Sequence, residues 1–477
     1  MLFEGVDHAK RMLPACLVAF FFSVVLIACQ TGTGNIREIV LSSPGNNVLT
    51  INANISCSEP VDVVVKYWRE DDASHIFTST VSTGKKQHVI TLTNLRPATA
   101  YRYKILTTRG KEHSASNVYG FKTRALPFWL QDVFTVVTPQ FENLPSEFRK
   151  GYIMLYQREV PGILYFVNYK GEIFWYHRVD NTGFKVAQFT ERQSILSILG
   201  DGTYETSYGN QILELSLTDD TLLNLIKGTN DFTQTIHHEI LLTPENNIVT
   251  ITVEERVMDL SAVGGNKNDT IKTDGIIVLD RTGKKLWHWT VFDVLNPLKE
   301  KNILKEKKDW MHANSLTYTP DGNYLISFYN NGQLWKLNSK TGELIWKFGN
   351  GGDFKLNGAF PEQCHAVHYI NDSTIMLFDN GTSAKTSQVY KISLDEKNKR
   401  GSVVLDLLLP KDVFNERMGS AYMTGESAML ICASKRNTVL LTKPDGTNLW
   451  QMHTSGISPY RVEFIQDERM KPYLVNN

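Results

Sequence analysis

Four short phrases, GEIFW, GKKLW, GELIW and GTNLW, share the pattern Gly-x-x-x-Trp and constrain this chain more than anything else in it. Their glycines are Gly171, Gly283, Gly342 and Gly446, so the gaps are 112, 59 and 104 residues. These stand near two, one and two steps of a period of roughly 55. Degenerate copies are then expected about residues 225 and 395. LSLTDDTLLNLIKG and ISLDEKNKRGSVVLDL fall there, patterned strand–turn–strand but without the tryptophan. That makes six repeats of several short strands each. A unit of this size cannot bury both faces of its own sheet, so copies pack radially. The expectation is an all-β fold with a six-bladed β-propeller over 151–477. Each glycine makes a turn and each tryptophan packs between blades. A β-solenoid is the alternative, with a shorter and more regular period.

Ahead of the repeats, 36–125 reads as alternating strands: VLTINANIS, VDVVVKYW, QHVITLTNL and AYRYKILTT. LRPATAY, ending at Tyr101, is similar to the tyrosine corner of fibronectin type III domains. The expectation is a β-sandwich with Trp68 in its core, a module that spaces, docks or dimerises, and so a candidate for a homodimer contact. Residues 126–150 join it to the propeller. Residues 291–310, VFDVLNPLKEKNILKEKKDW, interrupt the blade rhythm and read as a helical insertion.

Residues 1–28 read as a signal peptide: Lys10 and Arg11 precede the apolar run LVAFFFSVVLIAC. Leu26-Ile27-Ala28-Cys29 resembles a bacterial lipobox, which implies cleavage before Cys29 and acylation of its sulfur. The protein is then an exported lipoprotein on the periplasmic or cell-surface side, held at a membrane by Cys29, with Gln30 compatible with the outer membrane. Residues 29–35 form a polar tether. The 50 basic and 50 acidic residues balance, so nothing points to nucleic acid. Of five cysteines, Cys57, Cys364 and Cys432 remain in the mature body, with no CxxC spacing. A Cys364–Cys432 bridge is the one pairing considered.

Three segments lead into a strand by a similar phrase: HEILLTPENNIVTIT from His238, NSLTYTPDGNYLISF from Asn314 and HAVHYINDSTIMLF from His365. In each, the following strand begins nine positions later, at Asn247, Asn323 and Thr374. The three residues are thus equivalent positions in three blades. Equivalent positions at the start of inner strands ring one mouth of the central channel. His237 and His312 lie next to this register, whereas His368 falls three positions beyond His365 and reads as packing. The residues alone leave three readings open: nucleophilic imidazole with acid/base partners, a metal site, or histidines satisfied in the core.

TIHHEILLTPENNIV, DWMHANSLTYTPDGNYLIS, LIWKFGNGGDF, QCHAVHYINDSTIMLFDNG and the late GSAYMTGESAMLI…DGTNLWQMHTSGISPYRVEFI resemble the exported, PAPS-independent arylsulfate sulfotransferases of bacteria, over nearly the whole mature chain. That family has a small β-sandwich ahead of a six-bladed propeller. The resemblance implies a ping-pong reaction without a cofactor or metal. A histidine takes a sulfuryl group from an aryl sulfate donor and hands it to a phenolic acceptor. His365 matches the nucleophile. His312 and Asn314 match the H-x-N pair around the sulfuryl oxygens. His238, or its neighbour His237, matches the upstream histidine, and Arg461 in PYRVEF the late Y-R position. One departure stands out: where the family has an arginine after LIS-x, this chain has Tyr329, which donates a hydrogen bond but carries no charge. Two alternatives are a non-catalytic propeller lipoprotein that binds anionic aromatics, and a metal-dependent hydrolase.

Overall fold

The computed structural model describes residues 36–43, 47–137, 140–204 and 207–470. The signal segment, Cys29 and the tether lie outside them. Inner strands of the repeats are continuous apolar runs, such as Thr374–Asp379, buried along its whole length. Strands read this way when both faces are covered. Here neighbouring blades cover them, and six sheets stand around one axis.

Blade 1 holds Tyr152–Tyr156, Gly162–Val167 and Ile173–Val179, and its innermost strand, Val462–Ile465, comes from the far end of the chain. The innermost strands of blades 2 to 6 are Gly183–Phe189, Ile236–Leu242, Ala313–Tyr318, Cys364–Tyr369 and Ser420–Met423. A second closure lies at the rim: Phe134–Val137 adds to Asn448–Thr454, the outer strand of blade 6. Both ends of the propeller segment are thereby held by main-chain ladders.

The repeat glycines do what the pattern requires. Gly171, Gly283, Gly342 and Gly446 have φ of +77°, +87°, +77° and +88°, a region that costs glycine alone nothing. Trp175, Trp346 and Trp450 are buried. Trp287 is half-buried, its indole N–H donating to the Lys340 carbonyl, and Trp289 takes the buried place. The two degenerate copies are the outer strands of blades 2 and 5, Thr221–Ile226 and Arg400–Leu408. The 291–310 insertion forms short helical turns, including Ile303–Glu306.

Seven strands ahead of the propeller join into one hydrogen-bonded network through the long strand Ile51–Arg69. Its first part pairs with Ile36–Ser42 and Ser82–Leu92, its second with Ala100–Arg109. Residues of both parts share one core. The Tyr101 hydroxyl accepts from the Arg96 main-chain N–H at 2.8 Å, the corner that the sequence indicated. The tryptophan expectation needs correction by one residue. Val61, Val63, Val65 and Tyr67 alternate inward, so Tyr67 fills the core and Trp68 faces outward. Against blade 1, the Asn47 amide donates to the Tyr176 carbonyl and the Val48 N–H to the Tyr176 hydroxyl, both at 2.9 Å.

The considered Cys364–Cys432 bridge is overturned: both are free thiols, in different cores between different blades. Among the described residues no helix is long and apolar enough to cross a membrane.

Candidate active site

Counting back four residues from the last paired residue of each inner strand lands on Arg461, Lys185, His238, Asn314, His365 and Gly419, in blades 1 to 6. The register read from three phrases thus runs through all six blades. The five side chains are at most 7% exposed. Two cations, two imidazoles and one amide are therefore collected at one level of the channel, and Gly419 adds no side chain at the sixth place, where the Phe378 ring packs against it. The strand ladders break near this level, between Phe184 and Val186, His237 and Ile240, Ala313 and Ser315, and His365 and His368. Bulges re-aim side chains at such points. His238, His312 and Ala366 have φ of +57°, +57° and +50°, backbone strain of the kind that clusters at functional sites.

Asn314 is fixed from three sides. Its Oδ1 accepts from the Ser327 hydroxyl at 2.7 Å, and Ser327 lies 2.6 Å from Ser315. Its Nδ2 is 3.3 Å from His365 Nε2. An amide N–H can only donate, so Nε2 accepts and the proton of neutral His365 sits on Nδ1. Arg461 pairs with Glu239 and crosses the axis to donate to the Asn314 carbonyl at 2.6 Å. It forms a floor beneath the imidazoles. Beyond that floor lies a cavity of about 470 Å³. His368 lines this cavity, stacked on Tyr422 with 4.7 Å between ring centres, away from the histidine cluster.

The rings form a chain along the other face of the floor. Ring centres lie 5.2 Å apart for His238 and His312, 5.5 Å for His312 and Tyr329, and 5.7 Å for Tyr329 and His365. Of the two adjacent histidines, His238 faces this cluster. His237 stands behind it, its Nδ1 2.7 Å from His238 Nδ1 and its Nε2 3.4 Å from Asp274. His312 Nδ1 meets Asp309 Oδ2 at 2.6 Å. Tyr329 occupies the space between His312 and His365 and turns its hydroxyl outward to the Glu416 carbonyl at 3.2 Å.

The sequence model of arylsulfotransferase (ASST) matches residues 135–439, well over half of the chain. The chain belongs to the arylsulfotransferase family. No curated protein matches it. Among solved structures, a protein of unknown function from Bacteroides caccae is 10% identical, with a TM-score of 0.42, covering 66% of this chain and 98% of its own. A putative 6-phosphogluconolactonase from Bacteroides fragilis is 10% identical, with a TM-score of 0.38, covering 85% and 98%. Apo AztD from Citrobacter koseri is 6% identical, with a TM-score of 0.29, covering 85% and 98%.

Within this arylsulfotransferase fold, burial sorts the imidazoles. It holds the pKa of His365 down at about 3, helped by the charges of Arg461 and His312, and that of His237 at about 3. His238 lies well below its ordinary value for the same reason, with His237 next. Burial also pulls on His312, but the hydrogen bond and charge of Asp309 outweigh it, and His312 is raised. Neutral and protonatable histidines thus stand two rings apart. No group of three His, Cys, Asp or Glu side chains among the described residues is arranged to hold a metal.

Three participants escaped the sequence reading. Asp309 carries no motif. Glu239 follows His238 as a single carboxylate. Lys185 is not a histidine or an amide and so does not stand out by residue type, although FKVAQFTERQS places Ser194 nine residues after it, the same spacing as the others.

Proposed function

We propose that the chain is an aryl sulfotransferase in which His365 carries the sulfuryl group between donor and acceptor. Family membership supports the reaction class. The observation that carries the mechanism is the Asn314 amide donating to His365 Nε2, which leaves a neutral imidazole with its lone pair on the nitrogen facing Asn314. In the first half-reaction a sulfuryl oxygen takes over the Asn314 N–H, the Nε2 lone pair so released attacks sulfur, the N–S bond forms and the S–O bond to the aryl group breaks. His312, charged beside Asp309, gives its proton to the departing phenolate. In the second, His312 takes the proton of the acceptor phenol, whose oxygen attacks sulfur, and the N–S bond breaks. Sulfuryl transfer, like phosphoryl transfer, is promoted mainly by positioning and by hydrogen-bonding groups around the equatorial oxygens. The Asn314 amide and the His238 ring are the groups that serve this in the proposed mechanism. The reading is tested with purified protein, an aryl sulfate and a phenol. Wild type transfers, and His365→Ala does not. Equal transfer by both would refute the role of His365.

Tyr329 supports a second reading, a propeller that binds anionic aromatics without turnover. Among the described residues Tyr329, and no charged side chain, stands between His312 and His365. Tight binding of the donor with no covalent adduct would favour it. The lipobox-like run before Cys29 supports export and anchoring at a membrane through that residue, with donor and acceptor met outside the cytoplasm. Release of labelled lipid with the protein, lost in Cys29→Ser, tests the anchor.

A further inference from the structure

Lys185 is the charged member of the six-position ring that has neither a carboxylate in contact, as Arg461 has in Glu239, nor a part in the proposed mechanism. It occupies the bulge of its strand, as Asn314 does in blade 4. Its ammonium donates to the Arg158 carbonyl at 3.3 Å. Arg158 ends the segment after Tyr152–Tyr156, which pairs antiparallel with Val462–Ile465. It therefore lies at the same mouth as Arg461 and the histidines. Its guanidinium sits 5.0 Å from the centre of the Tyr460 ring, and Tyr460 is 6.0 Å from His238.

Both cations are buried, Lys185 at 3% and Arg158 at 5% exposure. Neither forms an ion pair among the described residues. Arg158 donates only to the Ser207 hydroxyl at 3.2 Å and the Met418 thioether at 2.9 Å, both uncharged, and its Nε has no partner. Burial, and then each other's charge, holds Lys185 below its ordinary pKa. Two neighbouring buried cations with no carboxylate in contact among the described residues, only the more distant charges of Glu159 and Asp201, are costly to keep. An anion between them removes that cost. Arg461 differs, because Glu239 already neutralises it.

We propose that Lys185 and Arg158 form an oxyanion subsite at the axial mouth, across the ring from His365, for an anionic group of the aromatic substrate. In a six-membered ring blade 2 stands opposite blade 5, so an aryl sulfate held by His365 extends its far end toward Lys185. The shared chemistry is a sulfate or carboxylate on an aromatic ring. The inference rests on the proposed sulfotransferase only for the identity of that ring.

The test uses the mature chain, with inorganic sulfate as probe in calorimetry and thermal unfolding. Sulfate raises the melting temperature of wild type. Lys185→Met and Arg158→Met each weaken sulfate binding tenfold or more and melt no lower than wild type in anion-free buffer. Lys185→Gln and Arg158→Gln repeat the measurement should either methionine variant fail to fold. Unchanged sulfate affinity overturns the subsite. So does a fall in melting temperature in all four variants, which marks the cations as structural. Two donors separate the sources. If Arg158→Met weakens a carboxylated aryl sulfate but not its plain counterpart, the subsite reads a second group. Equal weakening means that it reads the sulfate itself. Wild type that binds sulfate through Lys185 yet transfers nothing refutes the sulfotransferase and keeps the subsite. Transfer and sulfate binding that are both untouched in Arg158→Met do the reverse.

Discussion

Arg461 reaches from blade 1 across the axis to the main-chain carbonyl of Asn314 in blade 4, at 2.6 Å, while Glu239 of blade 3 takes its charge. One side chain thus ties three blades together directly beneath His365. Burial works against its charge, but Glu239 above all keeps Arg461 protonated. Arg461→Met would strand Glu239 in the interior, at a cost of about 3–5 kcal/mol. Arg461→Met with Glu239→Gln should recover much of that loss. Denaturant unfolding of the single and double variants measures both, and an equal cost in the two would contradict the pairing.

Asn314→Ala removes the donor to His365 Nε2 but keeps the carbonyl that Arg461 uses. The expected effect is on turnover rather than folding. By analogy with the loss of one oxyanion donor, the donor half-reaction slows by about 10²–10³-fold. Burst kinetics with a chromogenic aryl sulfate reads this, alongside an unchanged unfolding midpoint.

The pH dependence follows from opposite shifts in the same cluster. His365 and His237 are held at about 3, below their unfolded value near 6.5. The unfolded chain binds more protons in that window. These two residues therefore contribute stability that is full above about pH 6.5 and lost as pH falls toward 3. His365→Asn and His237→Asn should each flatten the acid limb of a stability–pH curve. His312 is raised, so its contribution is present at low pH and lost as pH rises through its folded value.

His312 also sets the alkaline limb of activity with donors of poor leaving group. Transfer falls as His312 deprotonates. Asp309→Asn removes the partner that raises it and moves the falling limb to lower pH. A pH–rate profile in which Asp309→Asn leaves the limb in place would exclude His312 as the proton donor.

The fold was legible because its repeat is written in residue types with one physical job. Only glycine takes φ near +80° freely, and the tryptophan that four of the six copies carry is large enough to fill the gap between blades, as Trp175, Trp346 and Trp450 do. The same clarity failed at Trp68. A long bent strand keeps strict alternation, and sequence alone could not tell which of two adjacent aromatics faces in. At the site, His238, Asn314 and His365 were found by register. Arg461 holds the same register but was met through family resemblance, since its strand has no hairpin after it. Arg158 lies in a connecting segment, and only the three-dimensional ring shows that it and Lys185 share a mouth with the histidines.

Gly342 offers a test of the repeat. With φ of +77° and a Cβ that would fall 2.9 Å from the Trp289 ring, Gly342→Ala should destabilise by more than the ~1 kcal/mol of a left-handed alanine alone. Gly322→Ala, also at positive φ but with open space around it, should cost only that strain. Urea unfolding of the two variants compares them.

Tyr329→Phe loses only the hydrogen bond to the Glu416 carbonyl, about 1 kcal/mol of stability, and should keep transfer within a few-fold of wild type. A collapse of transfer would mean that the hydroxyl itself serves the reaction.

The most direct test of the sulfohistidine is mass spectrometry of the protein quenched after mixing with an aryl sulfate and no acceptor. The peptide containing His365 should gain one SO3, discharged when a phenol is added and absent in His365→Ala. Turnover without any adduct, or an adduct on another residue that persists in His365→Ala, would contradict it.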